Sequence, residues 1–343
     1  MTKRTGVVAV GALLLVLHVV VLCAGFFAPY DPSQQNREMP FAPPLRLRFF
    51  DAEGRFHLRP FVHRWAPRAE NFGQYDEDRS VTVPVQLFVR GARYTIAGFV
   101  SSDVHLFGTP QPAQIFLLGS DAYGRDVFSR VLYGGQVSLL AGLLATGLTV
   151  ALGLLVGTLA GYYGGWLDDI LMRGAELFLA LPWLYLLFAI RAFLPLEIRP
   201  AQAFLMLVVI IGAIGWARPA RLIRGVVLSA RERDYVRAAR GFGASDFYLL
   251  RRHVLPQTFG LLLTQGVILV PQYVLAEVTL SFLGLGVGEP VPSWGNLLSD
   301  LQQYHVLASY WWMFLPAGVL LPFFLGYLAL ASALHERRKA VSL

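Results

Sequence analysis

Among 343 residues there is one cysteine and there are two lysines, and charged side chains make up 15% against 55% apolar ones. The lone thiol, Cys23, excludes a disulfide framework within the chain. The shortage of charge excludes an ordinary water-soluble globule of this length, because too little polar surface is available to cover it, and a bilayer becomes the natural solvent. The shortage of lysine removes a class of activity. A phosphate-binding P-loop requires Gly-x-x-x-x-Gly-Lys-Ser/Thr, in which the lysine reaches the terminal phosphates, and neither Lys3 nor Lys339 stands in a glycine-rich loop. The chain is therefore not a P-loop ATPase, and any ATP used must be hydrolysed by another polypeptide. The seven histidines show no metal-ligand spacing beyond a loose His57 and His63 pair, which reads as two surface histidines. No nucleophile elbow is present, and Gly161-Tyr162-Tyr163-Gly164-Gly165 reads as a loop. Neither a catalytic residue, a metal site nor a cofactor is expected.

What the chain has instead is apolar runs of about 20 residues, the length a helix needs to cross roughly 30 Å of hydrocarbon. Six stand out, at about 6–27, 138–162, 170–193, 202–220, 258–283 and 310–334. Each must be helical so that its backbone polar groups pair internally. The first follows Lys3 and Arg4 but is nearly twice the length of a signal-peptide core, so it reads as a retained helix. Leu22 precedes Cys23 where lipid attachment needs a small residue, so that thiol reads as plain. Between the fourth and fifth runs lie Arg218, Arg221, Arg224, Arg231, Arg233, Arg237, Arg240, Arg251 and Arg252, and the tail holds Arg337, Arg338 and Lys339, whereas 284–309 has no Arg or Lys. Positive charge marks the cytoplasmic side, so both termini are expected there. The net charge of +7 then follows from topology and contact with anionic lipid, and no nucleic-acid partner is expected.

The one long segment outside these runs, residues 29–116, is expected on the outer face. Alternating pieces at 45–50 and 55–60 flank Asp51-Ala52-Glu53-Gly54, and a second pair at 83–89 and 94–100 flanks Arg90-Gly91, so two β-hairpins are expected. A core of this size is marginal alone, so the segment, rich in arginine and aromatics, is expected to lean on the membrane domain or on a partner.

The basic loop between the fourth and fifth runs has internal detail. Ala238 and Ala239 let another surface approach a helix closely, Gly243 permits a sharp turn, Ser245 can cap a second short helix with Asp246 in its first turn, and Pro256 suits the start of the fifth span. This is a helix-turn-helix element offered on the inner face. The lesser alternative is a basic interfacial helix held by lipid phosphates.

The segment resembles the cytoplasmic coupling loop of ABC importer permeases, whose pattern is Glu-Ala-Ala, a glycine four residues after the second alanine, and a later Leu-Pro. Ala238, Ala239, Gly243, Leu255 and Pro256 match it, Arg237 replaces the glutamate, and His253 falls in an Arg-His-x-Leu-Pro piece similar to that of the dipeptide, oligopeptide and nickel branch. Leu118 to Arg130, Leu280-Ser281-Phe282-Leu283-Gly284-Leu285-Gly286 and Pro292-Ser293-Trp294-Gly295 also resemble that branch, in order, across residues 117–333. The external segment, about 32–114, is longer than in many members.

The resemblance implies an all-α integral membrane protein with six transmembrane helices of the type I ABC importer permease fold, similar to the second permease subunit of such importers. A small β-containing extracytoplasmic insertion would lie between helices 1 and 2. It implies an N-terminal helix over 1–28, the insertion over 29–116, a five-helix permease core over 117–336 with its coupling loop at about 228–256, and a cytoplasmic tail at 337–343. It further implies the bacterial inner membrane, a homologous partner permease, two ATPase subunits, an extracytoplasmic substrate-binding protein and a peptide-like cargo. Glu277 lies well inside an apolar run, where a carboxylate is costly. A proton relay there would suit a proton-coupled secondary transporter, but the coupling loop favours helix packing or pathway lining. Arg173 and Glu176 are spaced to form a helix pair.

Overall fold

The computed structural model describes residues 2–51, 54–68, 74–96, 98–110, 113–193, 195 and 198–341, and within these the side chains of residue 6 and of 8–334. Ala52 and Glu53 of the first expected turn lie outside the described residues, as do the side chains of Lys3, Arg4, Arg337, Arg338 and Lys339. The chain divides into two compact units. A helical unit comprises Met1–Gly11, Leu139–Leu280 and Phe324–Leu343, and a strand-bearing unit comprises Ala12–Ser138 and Ser281–Phe323.

The helices are α1 (Thr2–Leu22), α2 (Ala24–Phe27), α3 (Val127–Tyr163), α4 (Gly165–Ala180), α5 (Trp183–Ala192), α6 (Pro200–Ile214), α7 (Ala217–Arg231), α8 (Asp234–Gly241), α9 (Asp246–Leu249), α10 (Leu255–Phe282), α11 (Trp294–Ser299), α12 (Tyr304–Ser309) and α13 (Leu315–Val341). Among the described residues, Val127–Tyr163, Asp246–Phe282 and Trp311–Leu334 are long and apolar enough to cross a membrane unaided. Two further spans exist only if bent pairs count as one each: α4 with α5, bent by 88°, and α6 with α7, bent by 44°. The first expected span is helical, but its described apolar stretch, Val8–Leu22, is shorter than that measure. Three to five spans thus stand where six are expected. The sharp bend has a plain cause: Leu181 precedes Pro182 and is extended, with ψ 137°, because a proline ring excludes the helical conformation from the residue before it.

In the helical unit, α3 lies directly on α7. A Cβ built on Gly153 would sit 2.7 Å from the Pro219 Cβ, one on Gly157 would sit 2.5 Å from the Ala220 carbonyl oxygen, and one on Gly161 would sit 2.9 Å from that of Arg224. The three glycines recur every four residues and form a stripe that lets two backbones touch, the packing that membrane helices favour in the absence of a hydrophobic driving force. Gly161 is therefore helical, and the loop expected from 161 starts only at Gly164. Arg224 on α7 forms a bidentate pair with Asp168 on α4, both bonds at 2.5 Å. Arg173 and Glu176, expected to pair, are both exposed and form no ion pair among the described residues.

In the strand-bearing unit, β1 (Arg48–Phe50), β2 (Phe56–Pro67) and β3 (Tyr75–Pro84) form an antiparallel sheet in that order, and β4 (Gln86–Ile96) pairs with β5 (Val100–Gly108). The first hairpin falls where 45–60 places it, but β2 runs on to pair with β3, so three strands replace two. The second hairpin differs in register. Arg90 and Gly91 lie inside β4 at an irregularity between Arg90 and Tyr94, and the turn sits at Gly98, where φ is 78°. The glycine that reads as a turn marks a bulge, and the next one makes the reversal. Leu45, Val62, Val83, Val85 and Ile115 close a small core, while Phe41 stacks on Tyr310 at 4.1 Å within a second core that includes Val131, Leu297 and Trp312.

Candidate functional site

The basic loop forms two short helices joined by a tight turn. α8 closes with the Gly243 N–H on the Arg240 carbonyl and the Ala244 N–H on the Ala239 carbonyl, at 3.0 and 3.1 Å. That pair of bonds is a Schellman ending, and it needs a left-handed residue at its centre; Gly243 supplies it with φ 83°. Ser245 then caps α9, its hydroxyl accepting the Tyr248 N–H at 3.3 Å. Val236 and Leu249 are fully buried beneath, while Phe242 is 92% exposed and Phe247 72%. Ala238 is exposed and Ala239 partly so.

Side chains fix this element to the end of α3. Tyr162 donates its hydroxyl hydrogen to Asp246 at 2.6 Å and accepts from Arg240 at 3.0 Å, with the Arg240 guanidinium 5.5 Å above its ring. Arg231 Nη1 reaches the Gly161 and Tyr162 carbonyls at 2.9 and 3.1 Å, where the negative end of a helix favours a cation. Arg237 turns back to Glu232 at 2.5 Å, and this hydrogen bond holds the Glu232 carboxyl below its ordinary range. His253 lies between the rings of Tyr235 and Tyr248, at 5.7 and 5.6 Å. Pro256 does not begin a separate span. The helix runs without interruption from Asp246 to Phe282, and a wider π-turn over Leu250–Val254 precedes the proline. Such a turn relieves the clash between a proline ring and the carbonyl of the preceding turn. Leu255 is partly buried and Pro256 exposed.

Elsewhere in the helical unit, a cavity of about 230 Å³ lies at both helix breaks, walled by Phe178, Trp183, Ile211, Tyr273 and two polar side chains, Arg218 and Gln272. Glu277, one turn beyond Tyr273 on α10, is fully buried.

Two of the motif pieces, 118–130 and 292–295, come together around Glu289 and Val131 in the strand-bearing unit, which spacing alone did not reveal. Arg125 holds Asp121 at 2.7 Å and both Glu289 oxygens at 2.6 and 3.2 Å, and Arg130 reaches Glu289 at 2.8 Å. Arg125, Arg130 and Asp121 are buried. Burial pushes the Asp126 carboxyl up to about 7 and that of Asp300 up to about 6. Trp294 is fully buried, with its ring N–H donating to the Val131 carbonyl at 3.0 Å and its backbone N–H to the Ser138 hydroxyl at 3.1 Å. Ser293 and Asn296 form a reciprocal capping box at the start of α11. The signal that could have joined these pieces was the pair of buried-type arginines, each needing a carboxylate.

An apolar multi-pass chain with a capped basic helix-turn-helix is the architecture of a transport-system membrane component. Residues 153–340, over half of the chain, match the family described as the inner membrane component of binding-protein-dependent transport systems, and the chain belongs to that family. It is 36% identical over 207 residues to the dipeptide transport system permease protein DppC of Bacillus subtilis (strain 168), covering 60% of this chain and 62% of that one. To the oligopeptide transport system permease protein OppC of the same organism it is 32% identical over 226 residues, covering 66% of this chain and 72% of the other. The chain thus spans a little under two thirds of the first relative's length. Among solved structures it is similar to the MetNI methionine ABC transporter in inward-facing conformations, with 19% identity, a TM-score of 0.46, and coverage of 61% of this chain and 95% of that one.

Proposed function

We propose that this chain is a membrane-spanning permease subunit of an ATP-driven importer, and that residues 228–256 form the contact for a separate ATPase subunit. The observation that carries the reading is the α8 to α9 element. Its backbone is closed by internal caps and its base is anchored through Tyr162, Arg231 and Arg240, yet it presents Ala238, Phe242 and Phe247 outward. A rigid small-residue surface with exposed aromatics suits docking of a protein partner.

In this reading α1 and the two bent pairs join the three long helices to make six spans. Both termini lie in the cytoplasm of a bacterium, and residues 29–116, which carry the strands, lie outside its inner membrane. The partners are a homologous permease, two ATPase subunits and an extracytoplasmic binding protein, toward which the sheet offers the exposed Phe49, Phe50, Phe56 and Leu58. The cargo is a peptide or similar small solute, as the names of the relatives suggest. The cavity at the helix breaks is a segment of the pathway, and Glu277 serves the packing beside it. Hydrolysis resides on the ATPase, whose motion can bias the permease only through differential contact with this loop.

The test is Ala238→Glu in the assembled complex. Substrate-stimulated ATPase activity and labelled dipeptide uptake should both fall about tenfold, the loss that ~1.4 kcal/mol of differential docking energy produces. Unchanged coupling with normal assembly would show that the loop is not the docking surface.

A further inference from the structure

The β4–β5 hairpin touches the helical stretch that follows α1 at two rungs, which gives it a direction. Near its base, the His105 ring lies 2.6 Å from the Ala28 carbonyl oxygen, and His105 is paired with Val89 across the hairpin. Nearer its tip, the Tyr94 ring covers the space where a side chain on Gly25 would stand, and Tyr94 is paired with Ser102. The step from the first rung to the second covers three residues of β5, about 10 Å. Along the helical segment the matching step runs from Ala28 back to Gly25, about 4.5 Å of rise, toward the apolar run of α1. Two more residues bring β5 to Val100, which at the same ratio carries the turn to about the level of Cys23, at the end of α1.

From that level toward its start, α1 turns apolar side chains outward. Leu15, Val16, Val19 and Leu22 are all about half exposed or more. The tip carries Phe99, 92% exposed, and Val100, 59% exposed. Arg90 and Arg93, exposed on β4, stand back from the tip. A tip of aromatic and aliphatic residues with arginines set behind it matches the layering of a bilayer surface, hydrocarbon first and phosphate above. The Tyr94 hydroxyl donates to the Val104 carbonyl at 2.6 Å and ties the two strands, so the tip is held by a braced ribbon.

We infer that the β4–β5 hairpin is a membrane-dipping element: its tip, Phe99 and Val100, inserts between lipid headgroups beside α1, with Arg90 and Arg93 on the phosphates. The inference rests on α1 being embedded in the bilayer, and it holds whichever side of the membrane the strands occupy. It gives the two sheets different roles, one facing lipid and the other free for a protein partner.

The test uses the full-length chain in nanodiscs of phosphatidylethanolamine and phosphatidylglycerol, with Cys23→Ser and a spin label at Phe99→Cys. Reference labels are placed at Leu15→Cys on α1 and at Arg79→Cys on β3. The Phe99 label should collide with oxygen more than with a water-soluble nickel chelate, like the Leu15 label and opposite to the Arg79 label. A Phe99 label that behaves like Arg79, or that is shielded from both reagents as in a protein contact, overturns the inference. A Leu15 label reached by the chelate overturns the membrane placement of α1, and the inference with it.

Discussion

Asp126 is buried just before α3, and one of its carboxylate oxygens accepts the Ser129 N–H and hydroxyl at 2.8 and 2.6 Å while the other has no partner. Burial, with a smaller contribution from nearby Asp121, raises this carboxyl to about 7. The folded state thus holds the proton more tightly than the unfolded chain does. Stability from this group is fully present below about pH 4 and is lost progressively as pH rises to about 7. We expect the thermal midpoint of the purified protein, followed by tryptophan fluorescence, to fall across that window. Asp126→Asn keeps the acceptor for Ser129 and removes the titration, so its midpoint should fall less. A variant whose slope equals that of the unmodified protein would rule out Asp126 as the source. From the sequence, Leu118 to Arg130 reads as a motif without a reason for its charges; the fold supplies that reason by bringing Glu289 to both arginines.

At the scale of elements, the α3 to α7 contact shows what is legible and what is not. The glycines at 153, 157 and 161 stand in the sequence at a clear four-residue period, yet reading 161–165 as a loop cuts off the last of them. Gly157→Leu would drive a side chain into the Ala220 carbonyl, which is backbone and cannot yield. It should abolish the monodisperse peak in size-exclusion chromatography, consistent with the ~1–3 kcal/mol or more that overpacking costs. Gly174→Ala, where a Cβ meets nothing within 4 Å, should leave the peak unchanged and, because alanine favours helix, raise the midpoint slightly. A normal peak for Gly157→Leu would mean that the helices separate freely. The Gly243 turn and the Ser245 cap were open to reading because both depend on residues adjacent in the chain. The wrong turn in the second hairpin has the opposite cause: bulge and turn glycines differ only in what lies across the strand.

For the molecule as a whole, the arginine distribution expects Arg231 to Arg252 on the side opposite residues 28–116 and 284–309. Ser293 is a poor reporter of that, being fully buried in its capping box. Phe242 and Tyr304, 92% and 82% exposed, are suitable. With Cys23 removed, Phe242→Cys and Tyr304→Cys should react with an impermeant thiol reagent from opposite faces of oriented vesicles. Reaction of both from one face would refute the topology. The segment 29–116 is also not a detachable cap. Phe41 lies in the same core as Val131 and Trp312, and the Trp65 ring N–H donates to the Pro43 carbonyl at 2.9 Å, so residues 39–45 are part of the unit's interior.

The sequence alone determined the solvent, the helical class, the absence of a P-loop and the local form of the basic loop, because hydropathy, composition and caps act over a few residues or over the whole chain. Only the tertiary structure decided how far β2 extends to pair with β3. It also decided which glycines let helices touch, and that Arg125 and Arg130 share Glu289, more than 150 residues away. These features depend on partners distant in the chain, and no local propensity encodes which partner arrives.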